Sequence, residues 1–136
     1  MPVDDIPNPK PTGKLLLRVM PMPSDVNRNG NIFGGWVMSQ MDIAGGILAS
    51  QRARSRLATV SVQTINFIRP INVGDVVGVY GEIVRVGRTS ITVYLEVYVS
   101  RALPSLSDED ESLLVASSAF TFVAIDDHGR PHPVDR

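Results

Sequence analysis

The sequence predicts a single α+β domain, an antiparallel β-sheet of four or five strands wrapped around one long buried helix. Three observations predict it. The ten prolines cluster, leaving 24–69, 71–103 and 105–130 free except for Pro70 and Pro104 between them, and proline is poorly tolerated inside helices and central strands. The hydrophobic spacing is helical up to about residue 51 and alternates with period two beyond it. The alternating segments are joined by connections of a few residues, the mark of antiparallel pairing. A chain of 136 residues suits one domain of ordinary size.

The elements follow in order. Residues 1–13 carry Pro2, Pro7, Pro9 and Pro11 and read as a mobile arm before a domain spanning 14–130. Lys14 to Met20 is a short strand. Met22 to Asn31 is a polar loop with a turn signal at Asn29-Gly30. Gly34 to about Gln51 is a helix apolar on most sides, from Trp36, Val37 and Met38 through Met41 and Ile43 to Ile47 and Leu48. Such a helix is normally buried. Gly45 and Gly46 in its middle each cost about 1 kcal/mol of propensity, which makes sense where another backbone packs close. Thr59 to Ile68, closed by Arg69-Pro70, is a strand, and Asp75 to Val86 is the next. Gly87-Arg88 turns it into Ser90 to Ser100, where Ile91, Val93, Leu95, Val97 and Val99 alternate with polar residues. Leu103 to Glu111 is an acidic loop, Leu113 to Ile125 a last strand, and 131–136 a loose tail. One sheet with one helix buries only one sheet face well, so a homo-oligomer is expected.

Composition narrows the chemistry. Hydrophobic residues are 43% and charged residues 20%, which places the chain among globular proteins. A net charge of −1 gives no basis for a nucleic-acid-binding face. There is no cysteine, and the two histidines, His128 and His132, stand near the C-terminus. A thiol nucleophile, a thiolate metal site and a core histidine relay are therefore not expected, and acid–base work falls to a carboxylate. The start MPVDDIPNPKPTGK lacks the basic and apolar stretches of a signal peptide, and Ile32 to Ser50 carries Asp42 and two glycine pairs, unlike a membrane helix. A cytoplasmic protein without membrane contact is expected.

The segment Asn27 to Gly46 carries the chemistry. Gly34-Gly35 opens the helix, where unpaired N–H groups are donors to an oxygen gaining negative charge. Asp42 lies in an apolar helix, and burying a carboxylate without partners is expensive. Asn27 and Asn29 stand just upstream as donors. Asp42 follows Gly35 by seven residues, two turns on the same face, yet about 10 Å along the axis. One small group does not reach both on one helix. Two helices antiparallel across a dimer axis would place one chain's Gly34-Gly35 near the other's Asp42, a composite site between subunits. Each feature also has an ordinary structural use: a lone helical Asp is commonly solvated, Gly-Gly at a helix start is commonly turn chemistry, and Arg52, Arg54 and Arg56 suit a helix C-terminus as well as a phosphate.

The segments NGNIFGGWVMSQMDIAGGILA, ATVSVQTINFIRPINVGDVV, VGRTSI and AFTFVAID together closely resemble the YciA-type acyl-CoA thioesterases of the hotdog fold, over about residues 14 to 130. The resemblance implies hydrolysis of acyl-CoA to free acid and CoA without a cofactor or metal. It implies Asp42 as general base or nucleophile, the Gly34 and Gly35 backbone as carbonyl donor, and a catalytic part for Asn27, fifteen positions before Asp42. It implies CoA contacts at Arg88, Thr89 and Ser90, where an arginine suits phosphate. It also implies dimers with a continuous sheet, assembled as trimers of dimers. Asn31, the basic helix exit QRARSR and the acidic stretch Ser107 to Ser112 depart from the pattern. Two rival readings are a non-catalytic acyl-CoA-binding module and a hotdog hydroxyacyl-thioester dehydratase; the second usually needs a histidine that this core lacks.

Overall fold

The computed structural model of the chain describes residues 8–100 and 112–135; the first seven residues of the expected arm and the whole expected acidic loop, 103–111, lie outside them. The element order is β1 (Lys14–Val19), α1 (Gly34–Ala53), β2 (Arg56–Val62), β3 (Asn66–Phe67), β4 (Val76–Val86), β5 (Ser90–Ser100) and β6 (Ser112–Ile125). The strands form one antiparallel sheet in the order β1-β4-β5-β6-β2, with β3 also on β6. This is the sheet-around-a-helix arrangement expected from the periodicity. Among the described residues no helix is long and apolar enough to cross a membrane.

The helix-side face of β5 is the centre of the core. Ile91, Val93, Leu95, Val97 and Val99 are all fully buried, each contributing roughly 1.5–3 kcal/mol by leaving water. They meet Met41, Ala44, Leu48 and Ala49 of α1 and Phe120 and Phe122 of β6 in one cluster. Gly45 is needed here. A Cβ at that position would stand 2.8 Å from Phe122 Cζ and 3.2 Å from Leu95 Cδ1. The close neighbour is a phenyl ring, where sequence reasoning looked for a backbone.

Three expectations are corrected. The single strand from Thr59 to Ile68 is two strands: β2 starts earlier at Arg56, and the chain leaves the ladder after Val62 before β3 rejoins β6 at Asn66. The helix runs two residues further, to Ala53, where Arg54 adopts the left-handed conformation (φ 52°) and its N–H donates to Ser50 O. Finally, α1 is not buried on all sides within one chain. Val37, Met41, Ala44, Gly45, Leu48, Ala49 and Ala53 are buried, but Met38, Ile43 and Ile47 are exposed, Ile43 by 54%.

The chain ends are fastened more firmly than their prolines suggest. Residues 8–12 cross the sheet face opposite α1. Asn8 Nδ2 donates to Ser112 O and its Oδ1 accepts from Leu114 N–H, Tyr98 Oη donates to Pro9 O at 2.9 Å, and Thr12 donates its N–H and hydroxyl to Glu96 Oε1. Glu96 is thereby only 4% exposed. Burial, and after it the neighbouring Glu96 charge, pushes the Tyr98 hydroxyl up to about 12, so it remains a neutral donor. The expected loose tail is anchored as well. Val134 is 5% exposed within the core cluster, its N–H donates to Arg88 O, and His132 N–H donates to Ala124 O.

Candidate active site

The start of α1 is built without a side-chain cap. Phe33 occupies the N-cap position in extended geometry, and no side chain bonds the first-turn N–H groups. A helix start of this kind leaves donors and a partial positive charge facing outward. The loop before it is held in place: Val26 bridges Ile32, Phe33 N–H donates to Asp25 O, and Ile32 N–H donates to Ile71 O at 2.9 Å. Asn31 Nδ2 adds a bond to Asn72 Oδ1. Asn27 organises the turn inside this loop. Its Oδ1 accepts from the N–H groups of Asn29 (2.9 Å) and Asn31 (3.2 Å), while Gly30 takes the positive φ of 83° that the turn requires. The oxygen is thus used by the turn.

Two clefts flank this helix start. The first, of about 340 Å³, is lined by Gly35, Met38, Ser39, Asp42, Thr59, Val62 and Phe120. Gly35 and Asp42 line the same cleft, two helical turns apart. Asp42 is half-buried and accepts a hydrogen bond from Thr59 Oγ1 at 2.6 Å. Hydrogen bonds to an ionised carboxylate are short and strong, so Thr59 fixes the orientation of that carboxylate. None of the residues lining this cleft is cationic. The second cleft, of about 440 Å³, lies at Gly34 and is walled by Val37, Phe67, Arg69, Ile71 and Val115 among others.

Sequence reasoning singled out Asp42, Gly34 and Gly35, and the structure brings them to these two adjoining clefts. It missed Thr59, which reaches Asp42 from a strand seventeen residues on. Asn27 lines neither cleft.

Arg88, Thr89 and Ser90 lie elsewhere. Arg88 and Thr89 lie in the β4–β5 turn and Ser90 opens β5, with Gly87 N–H donating to Ser90 O and Ala124 N–H to Thr89 O. Through Val134 they adjoin the C-terminal end of α1, where Arg52 pairs with Asp135 at 2.9 Å. That pair, first through its hydrogen bond, holds the Asp135 carboxyl below its usual range. Asp126 is likewise lowered, by the N–H groups of Arg130 and His128. Arg88 itself is exposed. Among the described residues no three His, Cys, Asp or Glu side chains gather as metal ligands would.

The family model for the thioesterase superfamily matches residues 29–102, more than half of the chain. The chain belongs to the thioesterase superfamily. The span of the match includes Gly34, Gly35, Asp42 and Arg88 to Ser90, and starts two residues after Asn27. Relatives in this superfamily are similar over nearly the whole chain. An uncharacterised acyl-CoA thioester hydrolase of Haemophilus influenzae is 50% identical over 124 residues, covering 91% of this chain and 79% of that protein. The acyl-CoA thioester hydrolase YciA of Escherichia coli K12 is 44% identical over 121 residues, 89% of this chain and 90% of that one. A hexameric broad-specificity acyl-coenzyme A thioesterase, crystallised as an aspartate-to-alanine mutant, superposes with a TM-score of 0.83 at 49% identity, covering 92% and 88% of the two chains. The resemblance to the YciA-type thioesterases, and the hotdog fold it implied, are borne out.

Proposed function

We propose that this protein hydrolyses acyl-CoA thioesters to a free carboxylic acid and CoA, at a site that two copies of the chain complete together. The carrying observation is the cleft lined by both Gly35 and Asp42. The two stand about 10 Å apart along the helix axis, a separation that suits two half-sites better than one. A second α1 laid antiparallel over it sets each Asp42 beside the other chain's helix start. The apolar surface there supports the arrangement, since Met38, Ile43 and Ile47 are exposed on α1. So does Gly46, one turn past Asp42 on the same stripe. A Cβ there would make only ordinary contact, 3.9 Å from Phe122 Cε1, so its own chain does not need the glycine, whereas a closely packed second helix would. The edge strand β2 adds Val60, 57% exposed, and Val62; joined edge to edge, two copies form one continuous sheet. The hexameric relative supports further assembly, as a trimer of dimers.

In this site the Gly34 and Gly35 N–H groups polarise the thioester carbonyl and stabilise the oxyanion, a contribution typically worth ~10²–10³ in rate. Asp42, aligned by Thr59, either takes a proton from the attacking water or attacks to form an anhydride. Asn27 offers its NH2 from the loop that leads into the helix start. Arg88, Thr89 and Ser90 hold the phosphate-bearing end of CoA. Arg52 lies ten residues past Asp42, about 15 Å along α1, and the hairpin adjoins that end, a span suited to an extended pantetheine arm. We place the reaction in the cytoplasm.

The test is CoA release, followed with a thiol reagent, from a panel of acyl-CoAs. The wild type turns over, and Asp42→Asn loses ~10²–10⁴ in kcat while still binding CoA. An Asp42→Asn protein as active as the wild type would remove Asp42 from the mechanism. A wild type that binds acyl-CoA without releasing thiol would leave a binding module instead. Single turnover in labelled water separates the two routes, since label in Asp42 marks the anhydride.

A further inference from the structure

Within the thioesterase reading, on which this inference rests, the thioester carbonyl at the start of α1 carries two arms, an acyl chain and a polar CoA arm. The two clefts differ in what they offer. The Asp42 side must admit the nucleophile and, in the composite arrangement, the second helix. Asp42 does not line the Phe67 side. It is lined by Gly34, the first helical residue, by Val37 one turn on, and by residues 67–71. Its walls are Val37, Phe67, Ile71 and Val115, and Val37, Ile71 and Val115 are each at most 2% exposed. The one cation on its lining, Arg69, is itself buried, and its Nη1 donates to Leu114 O at 2.6 Å. A volume of about 440 Å³ is within the range of ~300–1,000 Å³ typical of small-molecule sites.

We propose that this second cleft receives the acyl chain of the substrate, and that Phe67 limits the length of chain it accepts. Phe67 stands on the two-residue strand β3 and lines the cleft as a residue 50% exposed. Its Cζ lies 3.3 Å from where a Cβ on Gly34 would be. The missing side chain at Gly34 therefore lets the ring close directly over the first turn of the helix, beside the N–H groups that hold the carbonyl. An acyl chain leaving the carbonyl on that side runs under the ring, and the space beneath it ends against Val115 and Ile71. Half-exposed and at a sheet margin, Phe67 is replaceable without emptying the core.

The experiment measures kcat/KM for straight-chain acyl-CoAs of increasing length with the oligomeric wild type, Phe67→Ala, Phe67→Trp and, as a probe of the first cleft, Val62→Ala. Phe67→Ala raises the long-to-short ratio by about tenfold or more, the discrimination that one or two methylenes command in an apolar pocket. Phe67→Trp lowers the ratio, and Val62→Ala leaves it near the wild-type value. An unchanged ratio in both Phe67 variants overturns the assignment, as does a shift produced by Val62→Ala in their place. Failure of the thioesterase reading is distinguishable, because the wild type would then release no thiol from any chain length.

Discussion

The two ends of α1 are finished by different means. At its N-terminal end two glycines and an extended Phe33 leave the first-turn donors without a side-chain cap, and both adjoining clefts are open and largely apolar. At its C-terminal end the chain closes on itself. Arg54 in the left-handed conformation returns its N–H to Ser50 O, Arg52 pairs with Asp135, and the buried Val134 bonds the β4–β5 hairpin through Arg88 O. One end is satisfied by its own sequence neighbours and tail. The other presents donors, a carboxylate and apolar surface that the chain leaves for something else. An element whose polar groups are unsatisfied at only one terminus marks that terminus as the place where a substrate or a second subunit completes the structure.

Substitutions at the two ends should therefore separate turnover from stability. The larger effect is expected at Thr59. Hydrogen bonds to charged groups contribute about 1.5–3 kcal/mol, so Thr59→Val lowers kcat about tenfold to a hundredfold with little change in KM, Thr59→Ser restores it, and the urea midpoint stays close to that of the wild type. A Thr59→Val enzyme with wild-type kcat would separate the 2.6 Å contact from the chemistry. The smaller effect belongs to the closed end. Val134→Ala removes two buried methyl groups and costs about 1–2 kcal/mol of stability, read as a lower urea midpoint, while kcat for a short acyl-CoA is unchanged. Loss of turnover at unaltered stability in that variant would erase the contrast between the ends.

How much of this was legible in the sequence follows from the range of the interactions concerned. Gly34, Gly35 and Asp42 were legible because they break the apolar pattern of one local segment, and the β5 alternation was legible because its alternate residues face a single core. The exposed stripe of α1 was hidden for a related reason. Met38, Ile43 and Ile47 are as apolar as the buried face, so hydrophobicity alone does not say which side packs on this chain and which is exposed. Thr59 was hidden because its partner is on another element. The fastening of residues 8–12 and 131–135 was hidden because it depends on tertiary sites: the buried Glu96 and Tyr98 on the outer sheet face, and the gap between the hairpin and the end of α1 that Val134 fills. Proline content described their backbone freedom and not the partners waiting for them.

Subunit complementation distinguishes a site shared between two chains from one held within each. Gly35→Pro removes one helix-start donor at a first-turn position, where proline is tolerated and a Cβ would meet only ordinary contact with the Phe33 ring at 3.5 Å. Asp42→Asn removes the carboxylate. Each homo-oligomer is expected to be nearly inactive. In a mixed dimer of the two, a composite site leaves one active site with both native groups and the other with neither, so kcat returns to about half the wild-type value per dimer. Mixed dimers as inactive as their parents would show that each chain uses its own Gly35 and Asp42, and would contradict the account.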